Sequence, residues 1–373
     1  MDTVFIISHV PNPRMNKRLQ VAKEVGKTAL LFWDRGTVKI WEIFHSDIEN
    51  IKINVTADYT NPLKRIIPTL KFGFKALKEI QRLKPKSLYV ANIDMLIIAS
   101  LYSFGRKDKP KILYEIADLN KLIIDEQNSI IKKFAKKLLV SLEKKLCNKI
   151  NTLIVTSELF YENYYSNFVP RSKLLFMPNM PNLNAFRNYS RKKTGKFTVG
   201  FIGAIRYKDQ MKMLIDAAEK CNVEILFAGA GLDNEIENIC KNKNFVKYIG
   251  KYRYETEISS LYGQVDCVYS VYDANLNNVK FALPNKLYES IYCGLPIIVA
   301  KGTYLAKMVE EKGVGVAVGH NDVKELEEIL LRLVNDKFYY NSIVRNCDMH
   351  LDEINIENYN KKLSERIKKL IDE

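Results

Sequence analysis

Short apolar runs rich in Val, Ile, Leu, Phe and Tyr alternate with longer amphipathic runs along the chain, the rhythm of parallel strands joined by helices. In the first half the runs at 3–10, 27–33, 51–57, 87–91, 112–116, 152–156 and 173–177 predict strands, and the clearest helical pattern covers 128–149. The rhythm restarts at 197–202, 223–228, 245–249, 265–271, 296–300 and 314–318, which predicts a second parallel sheet. Between the two, residues 178–196 are rich in Pro, Asn and charge and keep no apolar period, as expected of a linker. The expected organisation is one α/β domain over 1–180, a linker over 181–196, a second α/β domain over 197–354 and a closing amphipathic helix within 355–373.

Composition narrows the class. A chain of 373 residues is comfortable for two domains, and 47% hydrophobic with 27% charged residues fits neither disorder nor membrane embedding. The six cysteines lie far apart without a CxxC pair, which argues against a disulfide framework and a zinc knuckle. The first residues read as a buried strand rather than a signal peptide, and no run reaches the roughly 18 apolar residues of a membrane span. The expectation is a cytoplasmic protein. Lys and Arg exceed Asp and Glu by 58 to 43, so the surface should attract phosphates, anionic lipid or nucleic acid.

In open parallel sheets ligands bind beyond the carboxyl ends of the strands, so loops after strands are where chemistry is sought. The strongest is Leu283-Pro284-Asn285-Lys286-Leu287-Tyr288-Glu289, followed by Ser290-Ile291-Tyr292-Cys293-Gly294-Leu295-Pro296 and a strand. Here a loop meets a helix start whose amides can cradle a diphosphate with help from Lys286, while Glu289, one turn further in, can accept hydrogen bonds from ribose hydroxyls. A second segment, Gly200-Phe201-Ile202-Gly203-Ala204-Ile205-Arg206-Tyr207-Lys208, ends another strand; Gly203 permits close backbone approach and Arg206 a bidentate grip on phosphate oxygens. A third, Phe227-Ala228-Gly229-Ala230-Gly231, offers a Gly-x-Gly turn, and Ile249-Gly250-Lys251-Tyr252 follows it.

Taken in order, these segments resemble the C-terminal domain of retaining glycosyltransferases of the GT-B fold, particularly glycosyltransferase family 4, where Pro-x-Lys-x-x-Glu precedes a small-residue helix and Gly-x-Pro. The resemblance implies two Rossmann-like domains facing a central cleft, with the closing helix crossing back to the first. It implies a nucleotide-sugar donor, UDP-linked by expectation, held by Gly203, Arg206, Lys208, Gly229, Gly231, Tyr252, Pro284, Asn285, Lys286, Leu287 and Glu289. Arg206 and a lysine, Lys208 or Lys212, would neutralise the leaving diphosphate, and no cofactor or metal is expected. The usual form has arginine directly after the glycine and lysine five residues later, where this chain has Ala204 and Asp209. Many members also carry an acid eight residues before the ribose-binding glutamate. Phe281 stands there, with Asp273, Asn275 and Asn277 as alternative polar contacts.

In the first half, Ser8-His9-Val10-Pro11-Asn12-Pro13-Arg14-Met15-Asn16-Lys17-Arg18 follows the first strand where the family's loop borders the acceptor and donor phosphates, which brings in His9, Asn12 and Arg14. A lone histidine at a strand end is more often structural. Leu113-Tyr114-Glu115-Ile116-Ala117-Asp118 resembles the family's acid-ending strand with Ala117 in place of a frequent histidine, leaving Glu115 and Asp118 to orient an acceptor hydroxyl; Ser157 would face the same cleft.

Two segments carry lysines around apolar stripes. In 128–149, Ile131, Phe134, Ala135, Leu138, Leu142 and Leu146 share a stripe that is expected to pack on the sheet; in 63–86, packing and contact with an anionic membrane stand open together. Nucleic acid is not an expected partner, because no aromatic-basic motif accompanies the charge. The resemblance thus implies sugar transfer with retention onto a hydroxyl of a glycan or polyprenyl-linked acceptor in surface polysaccharide synthesis. Two rivals remain, a sugar-nucleotide epimerase of the same fold and a degenerate glycan- or lipid-binding module.

Overall fold

The computed structural model describes residues 1–36, 45–57, 63–192 and 195–373; Lys193 and Thr194 of the expected linker lie outside them. It divides into two compact units, Met1–Met177 with Glu357–Glu373, and Pro178–Ile356. Each apolar run noted above becomes a strand.

The first unit runs β1 (Thr3–Ile7), α1 (Pro13–Val25), β2 (Thr28–Asp34), β3 (Glu49–Asn54), α2 (Ile66–Leu83), β4 (Ser87–Ala91), α3 (Ile93–Ser103), β5 (Lys111–Ile116), α4 (Lys121–Ile124), α5 (Ile130–Cys147), β6 (Thr152–Val155), α6 (Glu158–Asn163) and β7 (Leu174–Phe176). Its sheet is parallel throughout, in the order β3-β2-β1-β4-β5-β6-β7. Helices cover both faces, which is why β1 and β4 are buried at every position and read as continuous apolar runs. On one face Phe5 stacks on Tyr89 at 4.3 Å and packs with Met15 and Leu19 of α1. On the other, Trp33 stacks on Phe72 of α2 at 4.9 Å.

The second unit runs β8 (Thr198–Ile202), α7 (Lys208–Cys221), β9 (Glu224–Ala228), α8 (Asn234–Asn242), β10 (Val246–Gly250), α9 (Tyr254–Tyr262), β11 (Cys267–Ser270), α10 (Asn277–Phe281), α11 (Lys286–Tyr292), β12 (Ile297–Ala300), α12 (Tyr304–Lys312), β13 (Gly315–Val318), α13 (Val323–Asn335) and α14 (Lys337–Met349). Its parallel sheet has the order β10-β9-β8-β11-β12-β13. Side-chain caps set where its helices begin: Asp233, Thr303, Asp322 and Asp336 each accept a hydrogen bond from a first-turn amide. The final helix, α15 (Ile356–Asp372), returns to the first unit, where Leu363, Ile367 and Leu370, at helical spacing, enter the core beside Phe5 and Leu113.

Two segments differ from expectation. The described part of 178–196 packs into the second unit rather than hanging between domains. Phe186 is buried against Tyr254, Tyr262 and Tyr292, and Tyr189 donates to the Cys293 carbonyl at 2.7 Å. Most of the apolar stripe of α5 does not pack inward either: Ile131, Phe134, Leu138 and Leu142 are exposed and Ala135 is half-buried, so of the stripe only Leu146 is buried, beside Glu143 and Cys147. A charged residue lies on the inner face because three tyrosines satisfy it. Tyr114 and Tyr165 donate to Glu143 Oε1 at 2.7 and 2.8 Å, and Tyr164 to Oε2 at 2.9 Å.

Candidate functional site

In each sheet the strand order reverses direction at one place, between β1 and β4 in the first unit and between β8 and β11 in the second. Such a switch leaves a crevice at the carboxyl ends of the two strands, because their connections leave in opposite directions. In the second unit that crevice is lined by the loop from Gly203 to Arg206, after β8, and the loop from Tyr272, after β11.

The glycines are required by the close backbone packing at the strand ends. Gly203 and Gly229 have φ of +136° and +144°, and a Cβ on Gly229 would stand 1.8 Å from the Gly203 carbonyl oxygen. Gly229 N–H donates to the Gly250 carbonyl at 2.7 Å and Gly203 N–H to that of Ala228 at 2.8 Å. Gly231 is held in the same way, its added Cβ falling 2.7 Å from the Ile205 carbonyl oxygen.

Lys286, at the start of α11, points into this floor. It is buried, donates to Tyr272 Oη at 2.8 Å and lies 4.6 Å from the centre of the Phe201 ring. An added Cβ on Gly203 would meet its Nζ at 2.9 Å. Among the described residues it forms no ion pair, so a buried ammonium faces the crevice with donors to spare. Arg206 is exposed and also forms no ion pair there. The two lysines expected to assist it do: Lys208 and Lys212 both bind Glu235 of α8, and those bonds, Lys208 first, pull the Glu235 carboxyl down to about 2.

Glu289 is buried and already engaged. Its Oε1 accepts from Tyr254 Oη at 2.7 Å and from Asn285 Nδ2 at 2.6 Å, and its Oε2 from Tyr262 Oη at 2.5 Å. Burial first, and the Glu289 carboxylate after it, raise the Tyr252 and Tyr254 hydroxyls above the ordinary tyrosine range. Pro284 and Asn285 precede α11, where Asn285 caps no amide and spends its side chain on Glu289, and Leu287 is core. Beyond β11, Asn275 Nδ2 lies 3.2 Å and Asp273 Oδ1 3.5 Å from His320 Nε2, so His320, absent from the sequence-derived set, joins the polar loop; Asn277 opens α10 and Phe281 ends it.

The candidates of the first unit are placed in different ways. Asn12 caps α1, accepting from Met15 N–H at 2.9 Å, ahead of Pro13 in the first turn. Glu115 is buried: Tyr89 donates to its Oε2 at 2.6 Å, and Arg14 Nε and Arg18 Nε lie 3.2 and 3.7 Å from its Oε1, so acid and cation neutralise each other. Arg18, at the end of that segment and given no role of its own by the sequence, also donates to the Met177 carbonyl. Asp118 is exposed after β5, while Ser157 is fully buried at the start of α6. His9 packs at the end of β1 with Nδ1 2.7 Å from the Val10 carbonyl oxygen; burial, with Arg14 and Arg35 nearby, lowers its basicity.

Residues 196–336 match the family described as glycosyl transferases group 1. The chain is a glycosyltransferase, its second unit a group 1 domain. The succinoglycan biosynthesis protein ExoL of Rhizobium meliloti is 22% identical over 353 residues, 88% of this chain and 84% of that protein. Among solved structures the glycosyltransferase is similar to the sucrose-phosphate synthase of Thermosynechococcus elongatus, with a TM-score of 0.76 and 14% identity over 99% of both chains. It is also similar to Anabaena Alr3699/HepE in complex with UDP-glucose, at a TM-score of 0.72 and 14% identity over 98% of this chain and 99% of that one. These full-length likenesses are to GT-B proteins, and the fold of this glycosyltransferase is of that kind, two Rossmann-like parallel-sheet units.

Proposed function

We propose that the enzyme transfers a sugar from a UDP-linked donor, with retention at the anomeric carbon, to a hydroxyl of a glycan or polyprenyl-linked acceptor in polysaccharide synthesis. The observation that carries the donor part is Lys286: a buried ammonium without a carboxylate partner among the described residues, set against the backbone of Gly203 and on the crevice that Arg206 borders. Burying an uncompensated cation is costly, and a diphosphate supplies the missing charge. UDP in the HepE structures and the succinoglycan role of ExoL support the choice of nucleotide and pathway class.

In this scheme the bond from the anomeric carbon to the diphosphate breaks while the acceptor oxygen bonds the same face. The acceptor proton passes to the departing phosphate oxygen. Arg206 and Lys286 hold the charge that develops on that phosphate, the term that usually dominates such catalysis. Glu289, with three of its roughly four acceptor positions already filled, offers the one left on Oε2 to a ribose hydroxyl, and no metal takes part. Asp118 and His9 stand on the acceptor side.

The test is a nucleotide panel of UDP, GDP, dTDP and UDP-sugars, read by thermal shift with and without EDTA, on wild type, Arg206→Ala and Lys286→Met. A ligand at a hundred times its Kd adds about 2.7 kcal/mol of stability. UDP should raise the melting temperature with or without EDTA, and each variant should weaken UDP binding at least about tenfold, the worth of a charge-assisted hydrogen bond. No shift with any nucleotide would sink the donor reading, and a shift abolished by EDTA would sink the metal-free one.

A further inference from the structure

We infer that the N-terminal halves of α2 and α5 form a surface that docks on an anionic lipid bilayer. The inference does not depend on which nucleotide the second unit binds.

Helices α2, α3 and α5 lie side by side on one face of the first sheet, α2 on α3 and α3 on α5. Each returns the chain between parallel strands, so each runs against the strand direction and begins at the edge where the strands end. That edge also carries His9 after β1 and Asp118 after β5. The outward side chains at these helix starts are large and apolar. Ile67, Leu70 and Phe74 of α2 are 65%, 57% and 74% exposed, and Ile130, Ile131 and Phe134 of α5 are 84%, 80% and 66% exposed. Isolated exposed leucines need no explanation, but two ridges of this kind on one layer mark an interaction surface.

Charge identifies the partner. Lys71, Lys75 and Lys78 are exposed on α2, and Lys132, Lys133 and Lys137 on α5, while residues 66–78 and 130–142 contain no Asp or Glu. Aliphatic and aromatic side chains set among cations alone match a headgroup layer: the apolar groups reach the acyl boundary and the ammonium groups meet lipid phosphates. A second copy of this chain fits poorly, because a two-fold contact through this face would set lysines against lysines. Docked in this way, the helix starts that touch the bilayer lie at the same strand-end edge as His9 and Asp118, which keeps that edge near a lipid-linked acceptor.

The experiment is sedimentation of the full chain with vesicles of phosphatidylcholine, with or without phosphatidylglycerol. Wild type should pellet with the anionic vesicles, be released by high salt, and stay in solution with phosphatidylcholine alone. Phe74→Ser with Phe134→Ser should lower partitioning at least about tenfold, the lost burial of two aromatic side chains. Replacing Lys71, Lys75, Lys132 and Lys133 by Gln should do the same. These side chains are exposed, so both variants should keep the wild-type melting temperature, which excludes misfolding as the cause of any loss. Absence of vesicle binding, equal binding to both vesicle types, or binding unmoved by the variants would overturn the proposal. So would a dimer in light scattering that the double Ser variant splits, since the face would then belong to a second copy.

Discussion

Glu289→Ala removes the shared acceptor of three donors inside the second unit. Tyr254, Tyr262 and Asn285 lose bonds of 2.7, 2.5 and 2.6 Å, and Tyr262, wholly buried, cannot turn its hydroxyl to water. Hydrogen bonds to a charged group are worth about 1.5–3 kcal/mol each, but removing the carboxylate also removes its desolvation penalty of several kcal/mol. The net expected loss is about 2–4 kcal/mol. At roughly 2–4 °C per kcal/mol for a unit of this size, its melting transition should fall by about 5–15 °C. Glu289→Gln keeps the shape and one acceptor and should lose less than half as much. Tyr262→Phe made in the Glu289→Ala background should recover stability, because it removes the orphaned hydroxyl; the coupling is expected at about 1–2 kcal/mol. Differential scanning calorimetry on Glu289→Ala, Glu289→Gln, Tyr262→Phe and the double variant measures both. If Glu289→Ala melts within about 1 °C of wild type, the tyrosine-carboxylate cluster does not hold the unit together and the reasoning fails. The result also bears on function, because only Glu289→Gln separates nucleotide binding from folding.

Gly229→Ala should destabilise the second unit by about 3 kcal/mol or more, since its φ of +144° is closed to alanine and the new Cβ would meet the Gly203 carbonyl at 1.8 Å; urea denaturation followed by circular dichroism measures it, and a loss under about 1 kcal/mol would contradict the packing. His9 gives a pH signature. Its folded basicity is lowered, by burial first and then by Arg14 and Arg35, so the unfolded state binds the proton more readily. Stability from this group is therefore complete above the ordinary histidine value of 6.5 and declines as pH falls from there toward the lowered folded value. Melting temperatures of wild type and His9→Gln between pH 8 and 5 should converge with acidification by about that contribution, and parallel curves would refute it.

Much of this was readable in the chain before folding. Parallel strands buried on both faces must be apolar at successive positions, so runs such as Thr3–Ile7 and Ile297–Ala300 announced themselves. Ligands gather at strand ends, so Gly203, Gly229 and Lys286 could be singled out from their places after strands and before a helix. Arg18, Tyr254, Tyr262, Tyr272 and His320 were not, because each sits in an ordinary helical or loop pattern and gains its role from a neighbour far away in sequence. Tyr262 lies 27 residues from Glu289, and Arg18 lies 159 residues from the Met177 carbonyl it binds. The tyrosines give at most a faint signal, three of them at 252, 254 and 262 in the stretch before β11.

What the sequence determined by itself is periodicity: which residues form strands, which share a helical face, and where tight turns demand glycine. These are properties of a few consecutive residues, set by backbone geometry. What covers a face is not. The α5 stripe had the pattern of a core face, yet the sheet took the side bearing Glu143 because Tyr114, Tyr164 and Tyr165 satisfy that carboxylate there. The same holds for the cations. Local sequence placed Lys286 in the diphosphate loop and left Lys208 and Lys212 as alternatives beside Arg206, and only the tertiary structure gave both of these to Glu235 and left Lys286 buried without a carboxylate among the described residues, since pairing depends on distances that chain order does not fix.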